Sequence, residues 1–150
     1  MIENYFIDIL MVEDNPCDLE LALDAFRRHN LANHIQVARD GVEALDFLFC
    51  TGTFKNRVNP VHPKVVLLDL KLPRVDGLEV LRRIRSDPRT QSIPVVVLTS
   101  SREEADITNS YNLGVNSYIV KPVDFKNFSE AVRQLGFYWL LLNQPPSSQK

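Results

Sequence analysis

The chain has 150 residues, 45% of them hydrophobic and 24% charged, with a formal net charge of -2. This fits one globular domain with an adequate core, lacks the broad basic field that a nucleic-acid partner requires, and contains no apolar stretch near the roughly 20 residues that span a bilayer. A soluble, cytoplasmic protein with neither nucleic acid nor membrane among its partners is expected.

In chain order, the apolar run Ile7 to Val12 predicts a first strand, followed by Glu13 and Asp14. Asn15 and Pro16 then suit the start of a helix, in which Leu19, Ala22, Leu23 and Phe26 recur at helical spacing. Ile35 to Ala38 alternates as an edge strand does, and Leu45, Leu48 and Phe49 mark a second helix whose first turn and polar face carry Asp40, Glu43 and Asp46. Gly52 to Lys64, with Asn56, Asn59, Pro60 and Pro63, reads as a long surface loop. Val65 to Leu70 is apolar enough for a buried parallel strand; Asp69 lies at its end, and Pro73, Asp76 and Gly77 turn the chain away. The third helix follows from Leu78, Leu81 and Ile84, with Arg82, Arg83 and Arg85 as a solvated face. Ile93 to Leu98 predicts the fourth strand, with Thr99 after it. Ser101 and Glu104 have capping-box spacing for the segment Arg102 to Leu113, which is poor in large apolar residues and therefore loosely held. Tyr118 to Val120 is the fifth strand, Lys121 follows it, and Asp124 can cap a last helix.

Five strand and helix pairs in strict alternation predict an α/β domain with a doubly wound, five-stranded parallel sheet. The domain is expected to occupy residues 1–142, with residues 143–150 as a disordered tail rich in Pro and Ser. Cys17 and Cys50 lack C-x-x-C spacing and a clustered histidine, so free thiols are expected. His29, His34 and His62 are read as solvated.

Glu13, Asp14, Asp69, Thr99 and Lys121 each follow a predicted strand. In the order 2-1-3-4-5 the carboxyl ends of the strands share one edge, and the first and third strands adjoin at the reversal point where ligands bind. Three neighbouring carboxylates raise one another's proton affinity unless a cation neutralises them. Mg²⁺ does so through oxygen ligands, and it usually keeps waters that phosphate oxygens can displace. Lys121 adds a mobile positive charge, Thr99 a hydroxyl donor, and Asp69 a carboxylate free to act as nucleophile. The set suits phosphoryl transfer, which needs positioning and charge neutralisation.

On Glu13-Asp14, the run Leu68-Asp69-Leu70-Lys71-Leu72-Pro73-Arg74-Val75-Asp76-Gly77, Thr99-Ser100 and Lys121-Pro122, all in register, the sequence resembles the receiver domain of two-component response regulators. The resemblance implies a flavodoxin-like (βα)5 fold in which Asp69 accepts a phosphoryl group from a histidine kinase. It implies Mg²⁺ held by Asp14, Asp69 and the backbone carbonyl of Lys71, with Glu13 acting through metal-bound water. It further implies Thr99 and Tyr118 as a switch pair and a cis Lys121–Pro122 bond. Such a chain catalyses its own phosphorylation and dephosphorylation and has no separate substrate, so it is a switch rather than an enzyme.

Phosphorylation adds a charge of roughly -1.5 to -2 beside Thr99, whose movement would vacate space for the Tyr118 ring. The signal is then a population shift on the face of the fourth helix, fifth strand and fifth helix. Lys71 and Ser101, two positions beyond Asp69 and Thr99, are expected to tune phosphoryl lifetime through water access.

In the last helix Phe125, Phe128, Val132, Leu135, Trp139 and Leu142 alternate three and four apart, and Phe137, Tyr138, Leu140 and Leu141 make its end apolar nearly all round. Such a surface needs covering. A homodimer through Phe137, Tyr138, Trp139 and Leu141 is therefore expected. The long second loop and this aromatic end resemble the small response regulators paired with cyanobacterial phytochrome kinases, and output is expected through protein contacts. The alternative is a Mg²⁺-dependent phosphohydrolase with an aspartyl nucleophile. Its haloacid dehalogenase-like type would place a second Asp where Lys71 stands. A nucleotide-binding domain is disfavoured because neither G-x-x-x-x-G-K-[ST] nor G-x-G-x-x-G follows a strand.

Overall fold

The computed structural model describes residues 7–31, 34–57, 62–122, 124–144 and 146. Its strands are β1 (Ile9–Val12), β2 (Ile35–Ala38), β3 (Val65–Leu68), β4 (Val95–Thr99) and β5 (Ser117–Val120). Its α-helices are α1 (Pro16–Arg28), α2 (Gly41–Phe49), α3 (Gly77–Ser86), α4 (Glu104–Asn112) and α5 (Phe125–Gly136). The strands form one parallel sheet in the order β2-β1-β3-β4-β5.

Successive side chains of a strand point to opposite faces, and the central strands are apolar on both. Ile9, Met11, Val65, Leu67, Val96 and Leu98 pack with Leu19, Ala22 and Phe26 of α1 and Phe128, Val132 and Leu135 of α5. Leu10, Val12, Val66, Leu68, Val95 and Val97 face the opposite way, onto Ala44, Leu45 and Leu48 of α2 and Val80, Leu81 and Ile84 of α3. Both faces are thus covered, and the free strand ends become the accessible place for polar chemistry. Helix starts follow their capping chemistry. Asn15 accepts from the amides of Cys17 and Asp18, Asp40 from Glu43, Asp76 from Glu79 and Asp124 from Asn127.

Several sequence expectations need correcting. β3 stops at Leu68 rather than Leu70, because the Leu70 carbonyl is taken by the amides of Leu72 and Gly77 at 3.1 and 2.9 Å instead of by a neighbouring strand. β4 starts at Val95 rather than Ile93, just after Pro94, which has no amide hydrogen to give the ladder. The capping box of α4 does not form. Glu103 is the capping residue, and the Ser101 hydroxyl instead donates to Asp106 at 2.6 Å. The polar connection after α2 contains a short 3₁₀ turn (Gly52–Phe54), and Phe54 packs edge-on against Phe47. Asn59 and Pro60 fall outside the described residues, as do most of the positions assigned to the tail.

The apolar stripe of the last helix is also redrawn. After Gly136 the chain widens into a π-helical segment, Phe137–Leu142, whose one buried residue is Leu140, with Trp139 half-buried beside it. Phe125 and Leu142, predicted in the stripe, are exposed. Trp139 is half-buried against the α1/α5 side of the core.

Candidate functional site

Parallel register builds the site. Val12 pairs with Leu68, the amides of Glu13 and Asp69 extend the ladder by reaching Ala38 and Val12, and Thr99 pairs with Val120. Asp69 therefore emerges beside Glu13 and Asp14 on one side and Thr99 on the other. Gly77 opens α3 directly against this turn: a Cβ there would overlap the Asp69 carbonyl and the Leu70 Cα.

The Asp69 carboxylate is buried and fully engaged. One oxygen, Oδ1, accepts from the Thr99 hydroxyl at 2.7 Å and from the Lys71 amide at 3.2 Å; the other, Oδ2, accepts from Lys121 Nζ at 3.0 Å. Lys121 Nζ also meets Glu13 Oε1 at 2.7 Å and Asp18 Oδ2 at 2.8 Å. Glu13, only 1% exposed, accepts the Asn15 amide through its second oxygen at 3.2 Å.

Proton affinities diverge within this cluster. Burial pushes the Glu13 carboxyl up to about 7, the nearby Asp69 charge adds to the rise, and the Lys121 hydrogen bond only partly offsets it. Burial would raise Asp69 as well, yet the Thr99 hydroxyl and the Lys121 ammonium together hold it below the ordinary aspartate value. Burial disfavours the charged Lys121, but Asp18, Glu13 and Asp69 outweigh that and raise its affinity for the proton. The result is an ionised Asp69 at neutral pH, poised as a nucleophile, with its neighbour Glu13 close to titration.

One carboxylate oxygen from each of Glu13, Asp14 and Asp69 lies within 4.8 Å of the others. Lys121 is shared by Glu13, Asp18 and Asp69, and Asp14 stands beside Glu13 and Asp69, so carboxylates outnumber the ammonium in the crevice. Hard oxygen donors in that arrangement fit a divalent cation, and the exposed Asp14 leaves one side open to water or phosphate oxygens. The Lys71 backbone adjoins the same site through its amide.

All five strand-end residues named from the sequence thus meet in one crevice. Tyr118 is half-buried on β5, and its hydroxyl donates to the Ser101 carbonyl at 3.0 Å, in the loop that follows Thr99. The Lys121–Pro122 bond is not cis, contrary to what the resemblance implied; the trans form is the ordinary preference of X-Pro bonds. Two further residues were missed. Asp18, an acid in the first turn of α1 just after the end of β1, was readable from the helix start at Asn15 and Pro16; Asp106 had no signal in the sequence. His62 is half-buried with Nδ1 unpartnered, and burial together with Arg57 lowers its proton affinity, so it is not the solvated side chain expected. Phe137, Tyr138 and Leu141 are exposed, whereas Trp139, grouped with them, lies half in the core.

The family model described as the response regulator receiver domain matches residues 9–133. The chain is 42% identical over 144 residues to FilR2 of Methanothrix harundinacea, named as a probable methanogenesis regulatory protein, with 96% of this chain and 90% of that one covered. It is 39% identical over 132 residues to the response regulator Rcp1 of Synechocystis sp., with 88% of each covered. The crystal structure of Mn²⁺-bound Rcp1 superposes with a TM-score of 0.86 at 36% identity, over 94% of this chain and 99% of that one. The phosphorylated cyanobacterial phytochrome response regulator RcpA gives 0.87 at 38% identity, over 95% and 100%.

Proposed function

This chain belongs to the response regulator receiver domain family and is a phosphorylation-dependent signalling switch, and from that premise we propose that Asp69 is its phosphoacceptor. The observation that carries this reading is the Asp69 carboxylate itself, kept ionised between Thr99 and Lys121 beside Glu13 and Asp14. The phosphodonor is a phosphohistidine of a histidine kinase. An Asp69 oxygen bonds to phosphorus as the phosphorus–nitrogen bond breaks, and the imidazole leaves with the bonding pair. Thr99 Oγ1 and Lys121 Nζ already point at Asp69, so both donors need move little to meet phosphoryl oxygens.

Mg²⁺ is the cation this site takes, with Asp14, Asp69 and the Lys71 carbonyl as ligands and Glu13 reaching it through water. When bound, it neutralises charge on the phosphoryl oxygens. Thr99 and Tyr118 act as the switch pair, and the chain carries out no reaction beyond its own phosphorylation and dephosphorylation. It works in the cytoplasm; no described helix is long and apolar enough to cross a membrane. The likeness to Rcp1 and RcpA supports a phytochrome as the upstream kinase. The exposed Phe137, Tyr138 and Leu141 support a homodimer.

Incubation with Mg²⁺ and acetyl phosphate labels the wild type, and Asp69→Asn stays unlabelled. Label on that variant at another residue, or none on the wild type, rejects the assignment.

A further inference from the structure

Lys71 begins at the mouth of the crevice, because its amide is bonded to Asp69 Oδ1 at 3.2 Å. Its side chain is 62% exposed, yet the ammonium lies 3.6 Å from Asp106 Oδ2 in the first turn of α4. Asp106 is itself held locally: its side chain is only 14% exposed, and the same oxygen accepts the Ser101 hydroxyl at 2.6 Å. Ser101 in turn places its amide 3.4 Å from Thr99 Oγ1, while its carbonyl takes the Tyr118 hydroxyl at 3.0 Å. One carboxylate therefore ties together Lys71 of the acceptor turn, the loop that follows Thr99, and α4.

We propose that Asp106 is a positioning residue for the phosphoryl site, holding the Lys71 stem from the acceptor turn across to α4 so that it covers the approach to Asp69 and slows hydrolysis of the acyl phosphate. This rests on Asp69 being the phosphoacceptor. In hydrolysis a water oxygen bonds to phosphorus as the bond from phosphorus to the Asp69 oxygen breaks. The carboxylate is restored, inorganic phosphate leaves, and the protons of the attacking water pass to phosphate and solvent. An untethered lysine samples many rotamers and leaves this approach open for part of the time. A tethered one keeps four methylenes beside it, and the Ser101 bond prevents Asp106 from following the lysine outwards.

The test measures first-order loss of label after the donor is removed, in wild type, Asp106→Asn, Lys71→Ala and the double variant, all first labelled with acetyl phosphate and Mg²⁺. Asp106→Asn keeps an oxygen for the Ser101 hydroxyl but loses the charge that holds Lys71. Lys71→Ala removes the stem, keeps the backbone carbonyl, and alters an exposed side chain that folding does not depend on. Each single variant should lose label about two- to fivefold faster than wild type. The double should be no faster than the faster single, since both remove one interaction. Asp106→Glu, which retains the charge, should recover most of the lifetime, a rescue that a purely structural role for Asp106 would not produce. Unchanged or slower loss in Lys71→Ala, or effects that multiply in the double variant, overturns the proposal while leaving Asp69 as the labelled residue. Failure of the wild type to take label overturns the phosphoacceptor reading, and this proposal with it.

Discussion

Glu13 and Asp69 share one crevice and one ammonium partner, yet their proton affinities move apart. Asp69 receives a hydroxyl, an amide and Lys121, whereas Glu13 is more deeply enclosed and faces the Asp69 charge. In the metal-free protein the folded state holds the Glu13 proton up to about pH 7, while the unfolded chain releases it near 4.5. Between those values the folded state carries the extra proton, so this residue's contribution to stability falls as pH rises. Glu13→Gln should flatten that decline by roughly 1 to 3 kcal/mol, read from chemical denaturation of wild type and variant across the window. The Asp69 contribution runs the other way and at lower pH, being present above the unfolded value of 3.8 and lost as pH falls further. A cation at this site competes with the Glu13 proton, so apparent Mg²⁺ affinity should weaken below about pH 7. A titration followed by calorimetry that shows constant affinity from pH 5 to 8 would contradict this.

At the level of elements, the loop between β3 and α3 matters most for the site. Gly77 brings the start of α3 so close to Asp69 and Leu70 that no side chain fits. Gly77→Ala should cost about 1 to 3 kcal/mol in denaturant unfolding and should slow labelling of Asp69, because the overlap is with backbone and forces the acceptor turn to move. Labelling at the wild-type rate would show that the turn is not held by this contact. In α4 the single buried residue is Ser110, and this sparse packing agrees with the loosely held segment read from its polar residues. The π-helical end of α5 is the element least legible in advance. A three-four count assumes one residue-per-turn value throughout, and backbone bonds that skip five residues bring Leu140 inward and turn Leu142 out.

For the whole molecule, the two-faced sheet consumes the large apolar residues of the central strands, and among the described residues four of the six exposed large apolar side chains cluster after α5, the others being Tyr111 and Phe125. Phe137, Tyr138, Leu141 and Leu142 are between 45% and 62% exposed. If two copies cover this surface against each other, light scattering at micromolar concentration gives twice the chain mass for wild type and the monomer mass for Leu141→Glu. Equal monomer masses for both reject the dimer. Leu141 is the better choice than Trp139, whose ring also packs on the core, so that its loss would weaken the fold together with any interface.

Much of this architecture could be read from residue order alone. Apolar runs at regular spacing, with Asn15, Asp40, Asp76 and Asp124 at helix starts, dictate alternating strands and helices, because backbone sterics and capping act over a few residues. Handedness and sheet order then place Glu13, Asp14, Asp69, Thr99 and Lys121 at one edge. Side-chain partnerships across that edge are another matter. That Lys121 is shared by three carboxylates, that Glu13 rather than Asp69 holds its proton to about pH 7, and that Asp106 reaches both Lys71 and Ser101 follow from distances of a few ångströms between residues far apart in the chain. Coulomb and hydrogen-bond energies depend on those separations and on local burial, which only the packed molecule sets.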